Sequence, residues 1–161
     1  MIQKHDRYFM GIARSVAEGS KCKRAKFGTV IISADRRRII STGTNGKPAG
    51  SSCDQLCFRE GLAPNTPGHN CCIHSEVNAI LFAAPLERRG GTLYCTGRPC
   101  NDCTLTILQS GIVRLVYQVI TDGTHPGWNG EDVVAKYGVP LEVVAYTDEA
   151  WDALYEGMDR W

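Results

Sequence analysis

The sequence predicts an α/β layered domain: a mixed sheet with helices packed on its faces. Three observations carry that expectation. Residues 3–18 repeat apolar side chains at helical spacing, residues 27–44 form two β-rich runs joined by a short turn, and from residue 74 onward helical and strand patterns alternate. The 161 residues amount to about one domain, with no internal repeat and no long linker, so 1–161 is read as a single unit.

The elements follow in order. Tyr8, Phe9, Ile12, Ala13 and Val16 line one side of a first helix over 3–18, which Gly19 ends. Phe27–Ser33 and Arg38–Thr44 are strands of a hairpin turning around Asp35. Residues 45–73 are rich in Gly, Pro and Cys. That is loop chemistry, but a loop this long in a small domain is normally functional or held by something. His74–Ala84 is a second helix with Val77, Ile80, Leu81 and Ala84 on one face, broken by Pro85. Strand 92–96, helix 101–110 closed by Gly111, strand 113–120, helix 131–137 stopped by Gly138 and strand 141–146 come next. Asp148 is the expected cap of a final helix.

Composition narrows the function classes. Apolar residues make up 43% and charged residues 22% of the chain, ordinary values for a packed protein. Lys+Arg number 18 and Asp+Glu 17, so the net charge is +1, and non-specific binding along nucleic acid normally needs a clear basic excess. No apolar run is long enough to span a membrane, so no membrane partner is expected. The start, MIQKHDRYFM, has no apolar core of a secretory signal, so the expectation is a cytoplasmic protein. In a reducing compartment eight cysteines read as metal ligands or core thiols before disulfides.

Two motifs carry chemistry, each at the start of a predicted helix: His74-Ser75-Glu76 and Pro99-Cys100-Asn101-Asp102-Cys103. A Cys-x-x-Cys pair supplies two thiolates, good zinc ligands, and a helix N-terminus lowers thiol pKa. His74 offers a third, neutral nitrogen. Three protein ligands leave one tetrahedral position for water, the pattern of a catalytic zinc, whereas structural sites close with four. Zinc brings the pKa of bound water from about 15.7 to near 7. Glu76, two residues from His74, is the natural proton carrier. A thioredoxin-like redox role for Cys100 and Cys103 would need neither His74 nor Glu76. The ordered pair H-x-E then P-C-x-x-C is the signature of zinc nucleobase deaminases.

With those residues in view, the stretch from Cys22 to about Gly127 resembles the deoxycytidylate (dCMP) deaminase family, in its phage and bacterial form, within the cytidine deaminase superfamily. The matching segments are SKCKRAKFGTVI, IISTGTNGKPAG, CIHSEVNAILFAA, TLYCTGRPCNDC and LQSGIVRLVY, with HPGW more weakly. The resemblance implies a three-layer cytidine-deaminase-like fold with a mixed five-stranded sheet. It implies zinc on His74, Cys100 and Cys103, Glu76 as proton shuttle, and hydrolysis of dCMP to dUMP and ammonia in deoxynucleotide supply. Deamination of a 5-substituted dCMP, or of a base in tRNA or single-stranded nucleic acid, are the alternatives, and a non-catalytic nucleotide sensor is a third.

The resemblance also assigns further roles. Asn45 would contact the sugar or help hold the pyrimidine; its other reading is a turn residue before Gly46. Backbone N–H groups near Ser75 would face the pyrimidine O2. Arg24 and Lys26, with Lys21 and Lys23, lie where the family contacts the nucleotide phosphate; the alternative is a solvated basic loop. Related phage and bacterial proteins carry a second, structural zinc, which falls here on Cys22, Cys53, His69 and Cys72, with Cys71 and Cys57 as alternates. A closed site of that kind would pin the 45–73 insert. A homo-oligomer, often a hexamer, is implied, as are dCTP and dTTP effectors with Mg²⁺. Against that regulation, Pro85 stands where regulated relatives have arginine. Two more departures are Ser75, where alanine is usual in H-A-E, and Gly97-Arg98 before the ligand loop.

Overall fold

The structure is a computed structural model that describes residues 1–51, 57, 61–62, 71–120 and 130–155. Five strands form one sheet: β1 (Gly28–Ile32), β2 (Ile39–Thr44), β3 (Thr92–Cys95), β4 (Arg114–Gln118) and β5 (Glu142–Tyr146), in the order β2-β1-β3-β4-β5. β1 is antiparallel to β2 and to β3; β3, β4 and β5 run parallel. The helices are α1 (Asp6–Glu18), α2 (Ser75–Phe82), α3 (Pro85–Arg88), α4 (Asn101–Gln109), α5 (Gly130–Tyr137) and α6 (Asp148–Tyr155).

The sheet is covered on both faces, as expected. Every residue of β1 and β3 is buried, as befits strands inside the sheet with helices on both faces. Val30, Ile32, Tyr94, Val116 and Val144 point to α1, where Phe9, Met10 and Ala13 meet them. Ile31, Leu93, Cys95, Leu115 and Tyr117 point the other way, to Ala79 and Ile80 of α2 and Ile107 of α4. Close approach depends on two glycines. A methyl group at Gly28 would lie 2.1 Å from the Ala13 carbonyl oxygen, and one at Gly43 would lie 2.3 Å from that of Ser75. Only a residue without a side chain lets α1 and the first turn of α2 sit that close to the hairpin.

Three local readings need correction. The inward apolar face of α2 is Ala79 and Ile80, continued by Ala83 at its C-cap; Leu81 is 67% exposed and Ala84 is exposed. The second half of this eight-residue helix, Ala79–Phe82, is apolar on every side, which leaves its phase open, and the tight seam against β2 selects the small residues. Pro85 does more than break α2: it is the first residue of α3, where its missing N–H costs nothing. The cap of α6 is Thr147, whose Oγ1 accepts from the Ala150 N–H at 3.0 Å, while Asp148 pairs with Arg14 of α1 at 2.8 Å.

Arg88 of α3 closes the far ends of two helices. Its guanidinium donates to the carbonyls of Ile80 (3.1 Å), Ala83 (2.9 Å) and Ser110 (3.2 Å), satisfying acceptors that the ends of α2 and α4 leave open.

Candidate active site

The topology brings five chain segments to one edge of the sheet. Gly28 of β1 pairs with Thr44 of β2, and Thr29 pairs with Cys95 of β3. The start of β1, the end of β2 and the end of β3 therefore lie side by side. The starts of α2 and α4 meet them there, at the point where strand direction switches from antiparallel to parallel. In open α/β sheets ligands bind outside the carboxyl ends of strands at such switch points.

His74 is the N-cap of α2 and Cys100 the N-cap of α4, with Cys103 in the first turn of α4. His74 Nδ1 is 3.3 Å from Cys103 Sγ and 3.5 Å from Cys100 Sγ. All three donor atoms fall within 4.8 Å of one another, and this is the only such group of His, Cys, Asp or Glu among the described residues. One imidazole nitrogen and two sulfurs on preformed helix starts are a donor set that suits Zn²⁺, with the fourth tetrahedral position left to a non-protein ligand. The Cys100 thiol is pulled well below its ordinary value, chiefly by the hydrogen bond with Cys103 and further by His74; the same bond pushes Cys103 up. A metal held there would favour the thiolate form of both.

Glu76 lies in the first turn of α2 and is only 6% exposed. Burial pushes its carboxyl up, with its own backbone N–H, His74 and Ser75 opposing. A metal cation would oppose it further. Ser75 Oγ donates to Glu76 Oε2 at 3.0 Å and accepts from Thr29 Oγ1 at 2.8 Å. Thr29 is absent from any reading of the sequence; no local pattern connects it to Ser75, 46 residues away.

Asn45 is buried and its side chain is engaged with the loop that leads into β1. Its Oδ1 accepts from Ser20 Oγ (2.8 Å) and the Phe27 N–H (2.8 Å), and its Nδ2 donates to the Ala25 carbonyl at 2.9 Å. Lys26 Nζ donates to the Glu18 carbonyl at the end of α1 (3.4 Å), and Arg24 Nη2 to the Leu62 carbonyl (3.5 Å). Lys21 and Lys23 are exposed.

The insert leaves and returns at one point. Gly46 and Ile73 form a two-way bridge, with N–H to carbonyl distances of 3.1 and 2.8 Å. Beside it Cys22 is in hydrogen-bond contact with Cys72, and the sulfurs of Cys71 and Cys72 are 3.6 Å apart. Cys57 is half-buried. Cys53 and His69 lie outside the described residues, as does the HPGW segment. Cys95 is a buried core thiol, as expected, and donates to the Gly97 carbonyl at 2.9 Å on the way into the ligand loop.

Comparisons with known proteins agree with this geometry. The family model for the cytidine and deoxycytidylate deaminase zinc-binding region matches residues 3–119. The deoxycytidylate deaminase of Mycobacterium phage D29 is 39% identical over 120 residues, covering 70% of this chain and 92% of the relative. That of Enterobacteria phage T4 is 36% identical over 167 residues, covering 81% and 84%. The crystal structure of dCMP deaminase from the cyanophage S-TIM5 in complex with dCMP and dUMP superposes with a TM-score of 0.68 at 27% identity, over 91% of this chain and 99% of that one. With more than two thirds of its length under one family model and phage relatives above one-third identity, the chain belongs to the cytidine and deoxycytidylate deaminase family.

Proposed function

We propose that this protein hydrolyses dCMP to dUMP and ammonia. The observation that carries the reading is the His74–Cys100–Cys103 cluster with a buried Glu76 beside it, in a chain whose phage relatives are deoxycytidylate deaminases. His74, Cys100 and Cys103 would hold the metal. Zinc, when bound, supplies Lewis-acid activation of a water molecule as nucleophile.

The remaining work falls to the chain. Water oxygen adds to C4 of the cytosine ring; Glu76 takes the proton released and passes it to ring N3. Glu76 then takes the proton of the new C4 hydroxyl and delivers it to the 4-amino group, the C4–N bond breaks, ammonia leaves and C4 becomes a carbonyl. Burial of Glu76 pushes its carboxyl up, which favours its taking a proton. Backbone N–H groups at the start of α2 are donors available to the pyrimidine O2. The phosphate is assigned to the basic 21–26 loop. Asn45, whose side chain makes three hydrogen bonds with the loop leading into β1, is assigned to contacting the sugar or holding the pyrimidine.

The test is a product assay on the purified, zinc-loaded protein with dCMP, CMP, deoxycytidine and 5-methyl-dCMP. The expected result is dUMP and ammonia from dCMP, abolished by a zinc chelator and restored by zinc. Failure to turn over any free mononucleotide, alongside deamination of a single-stranded oligonucleotide or tRNA, would overturn the proposal. Preference for the 5-methyl compound would move it to 5-substituted substrates.

We also infer a second, structural zinc held by Cys22, Cys53, His69 and Cys72. The contact between Cys22 and Cys72 and the Gly46–Ile73 bridge support it, because they return the insert to the Cys22 loop. Cys53→Ser is expected to lower bound zinc by about one atom per chain and to loosen the insert, since such sites contribute folding energy. Unchanged zinc stoichiometry by atomic emission would refute it.

A further inference from the structure

We propose that Ser75 and Thr29 are positioning residues that fix the Glu76 carboxylate for its proton transfers; the proposal rests on the reading of Glu76 as proton carrier. Thr29 Oγ1, Ser75 Oγ and Glu76 Oε2 form an unbroken chain with spacings of 2.8 and 3.0 Å. The residues are 0%, 1% and 6% exposed, so water does not substitute for any link.

The polarity of the chain is dictated by valence. An ionised carboxylate only accepts, so Ser75 must donate to it. A hydroxyl has a single proton, so Ser75 must in turn accept from Thr29. Thr29 thereby sets the direction of the serine proton. Thr29 is itself held in the ladder opposite Cys95 of β3, and the Ser75 backbone packs closely over Gly43 of β2, where a methyl group would come within 2.3 Å of its carbonyl oxygen. The relay therefore ties the carboxylate to the rigid sheet and not to a loop. Such a tie matters for a group that must hand protons between fixed positions, because reach and angle decide the rate.

A purely structural account is less economical. Burying hydroxyls in a helix–sheet seam is costly unless they are paired, and a pair of small apolar residues would fill that seam without any such need. Here the chain of donors ends on the one buried carboxylate beside the metal ligands. Alanine, the residue usual in H-A-E, would leave that oxygen without its side-chain donor.

The experiment uses the full-length, zinc-loaded enzyme and dCMP. Ser75→Ala is expected to lower kcat by about five- to twentyfold with KM nearly unchanged, to retain zinc, and to show Glu76 in more than one rotamer in a crystal structure. Thr29→Val removes the first donor at constant shape and is expected to lower kcat about two- to threefold in the parent, but not at all in the Ser75→Ala background. Thr29→Ser, which keeps the hydroxyl, retains parental kcat. The proposal is overturned if Ser75→Ala keeps parental kcat, if it loses zinc, or if Thr29→Val acts equally in both backgrounds. Glu76→Gln separates the two levels. If that variant is inactive while Ser75→Ala is normal, only the relay fails; if Glu76→Gln is active, the underlying reading fails.

Discussion

Glu76→Gln is expected to retain its zinc and to lose turnover of dCMP by about 10²–10⁴-fold. Glutamine has the shape of glutamate, and its carbonyl oxygen can still accept from Ser75 Oγ at the position of Oε2. The ligands His74, Cys100 and Cys103 are untouched, so metal affinity has no reason to fall. What disappears is the capacity to take up a proton and give it back. Nucleophile and leaving group both depend on that transfer, so the loss belongs in kcat. Zinc by atomic emission and kcat from dUMP formation, measured on the same preparation, check the two halves of the expectation. A variant that keeps zinc and turns over at the parental rate would remove Glu76 from the mechanism. A variant that loses zinc would show instead that the carboxylate supports the metal centre.

The parts of this site that were legible in the sequence are those in which chemistry is local. His74 and Glu76 are two residues apart, Cys100 and Cys103 three apart, and each pair opens a helix whose start is marked in the sequence. The order of the strands and of the longer helices was equally plain, because β1 and β3 are short β-rich runs bounded by turn residues and α1 keeps a helical stripe. The phase of α2 was not. Leu81 and Phe82 are as apolar as Ile80 yet point to solvent, and the close approach to Gly43 together with the packing of Ala79 and Ile80 on the sheet marks the side that turns inward. Asn45 stood out as a residue for the sugar or for a turn, and the structure shows it clamping a loop by three hydrogen bonds. Thr29 and the Asp6–Arg114 pair were invisible for a different reason. Their partners lie 46 and 108 residues away, and no periodicity or spacing records a contact formed across the sheet.

That last pair sets the second large expectation: Asp6→Ala destabilises the fold by about 3–5 kcal/mol, a fall in Tm of roughly 6–20 °C for a chain of this size. Asp6 is completely buried in the first turn of α1 and Arg114 is 3% exposed at the start of β4. The guanidinium donates to both carboxylate oxygens, Nη1 to Oδ1 at 2.7 Å and Nη2 to Oδ2 at 2.9 Å. Tyr94 Oη adds a bond to Oδ1 at 2.9 Å and the Gln3 N–H one to Oδ2 at 2.6 Å. Truncation to alanine strands a buried cation whose remaining acceptors are the half-exposed Glu142 and the Met1 carbonyl. It also leaves the Tyr94 hydroxyl, in a side chain 1% exposed, without its acceptor. The cost comes from the abandoned charge and not from the attraction itself, so removing both charges in Asp6→Leu/Arg114→Met should recover most of the loss. Thermal melting of the two variants checks this; Asp6→Ala melting with the parent, or the double variant melting lower still, would refute it. Arg114 pairs with Thr92 at the starting ends of the parallel strands, whereas Cys95 and the metal ligands lie at the finishing ends. Zinc content and kcat at a temperature where Asp6→Ala is folded should therefore stay parental, separating the end of the sheet that holds the fold together from the end that carries the chemistry.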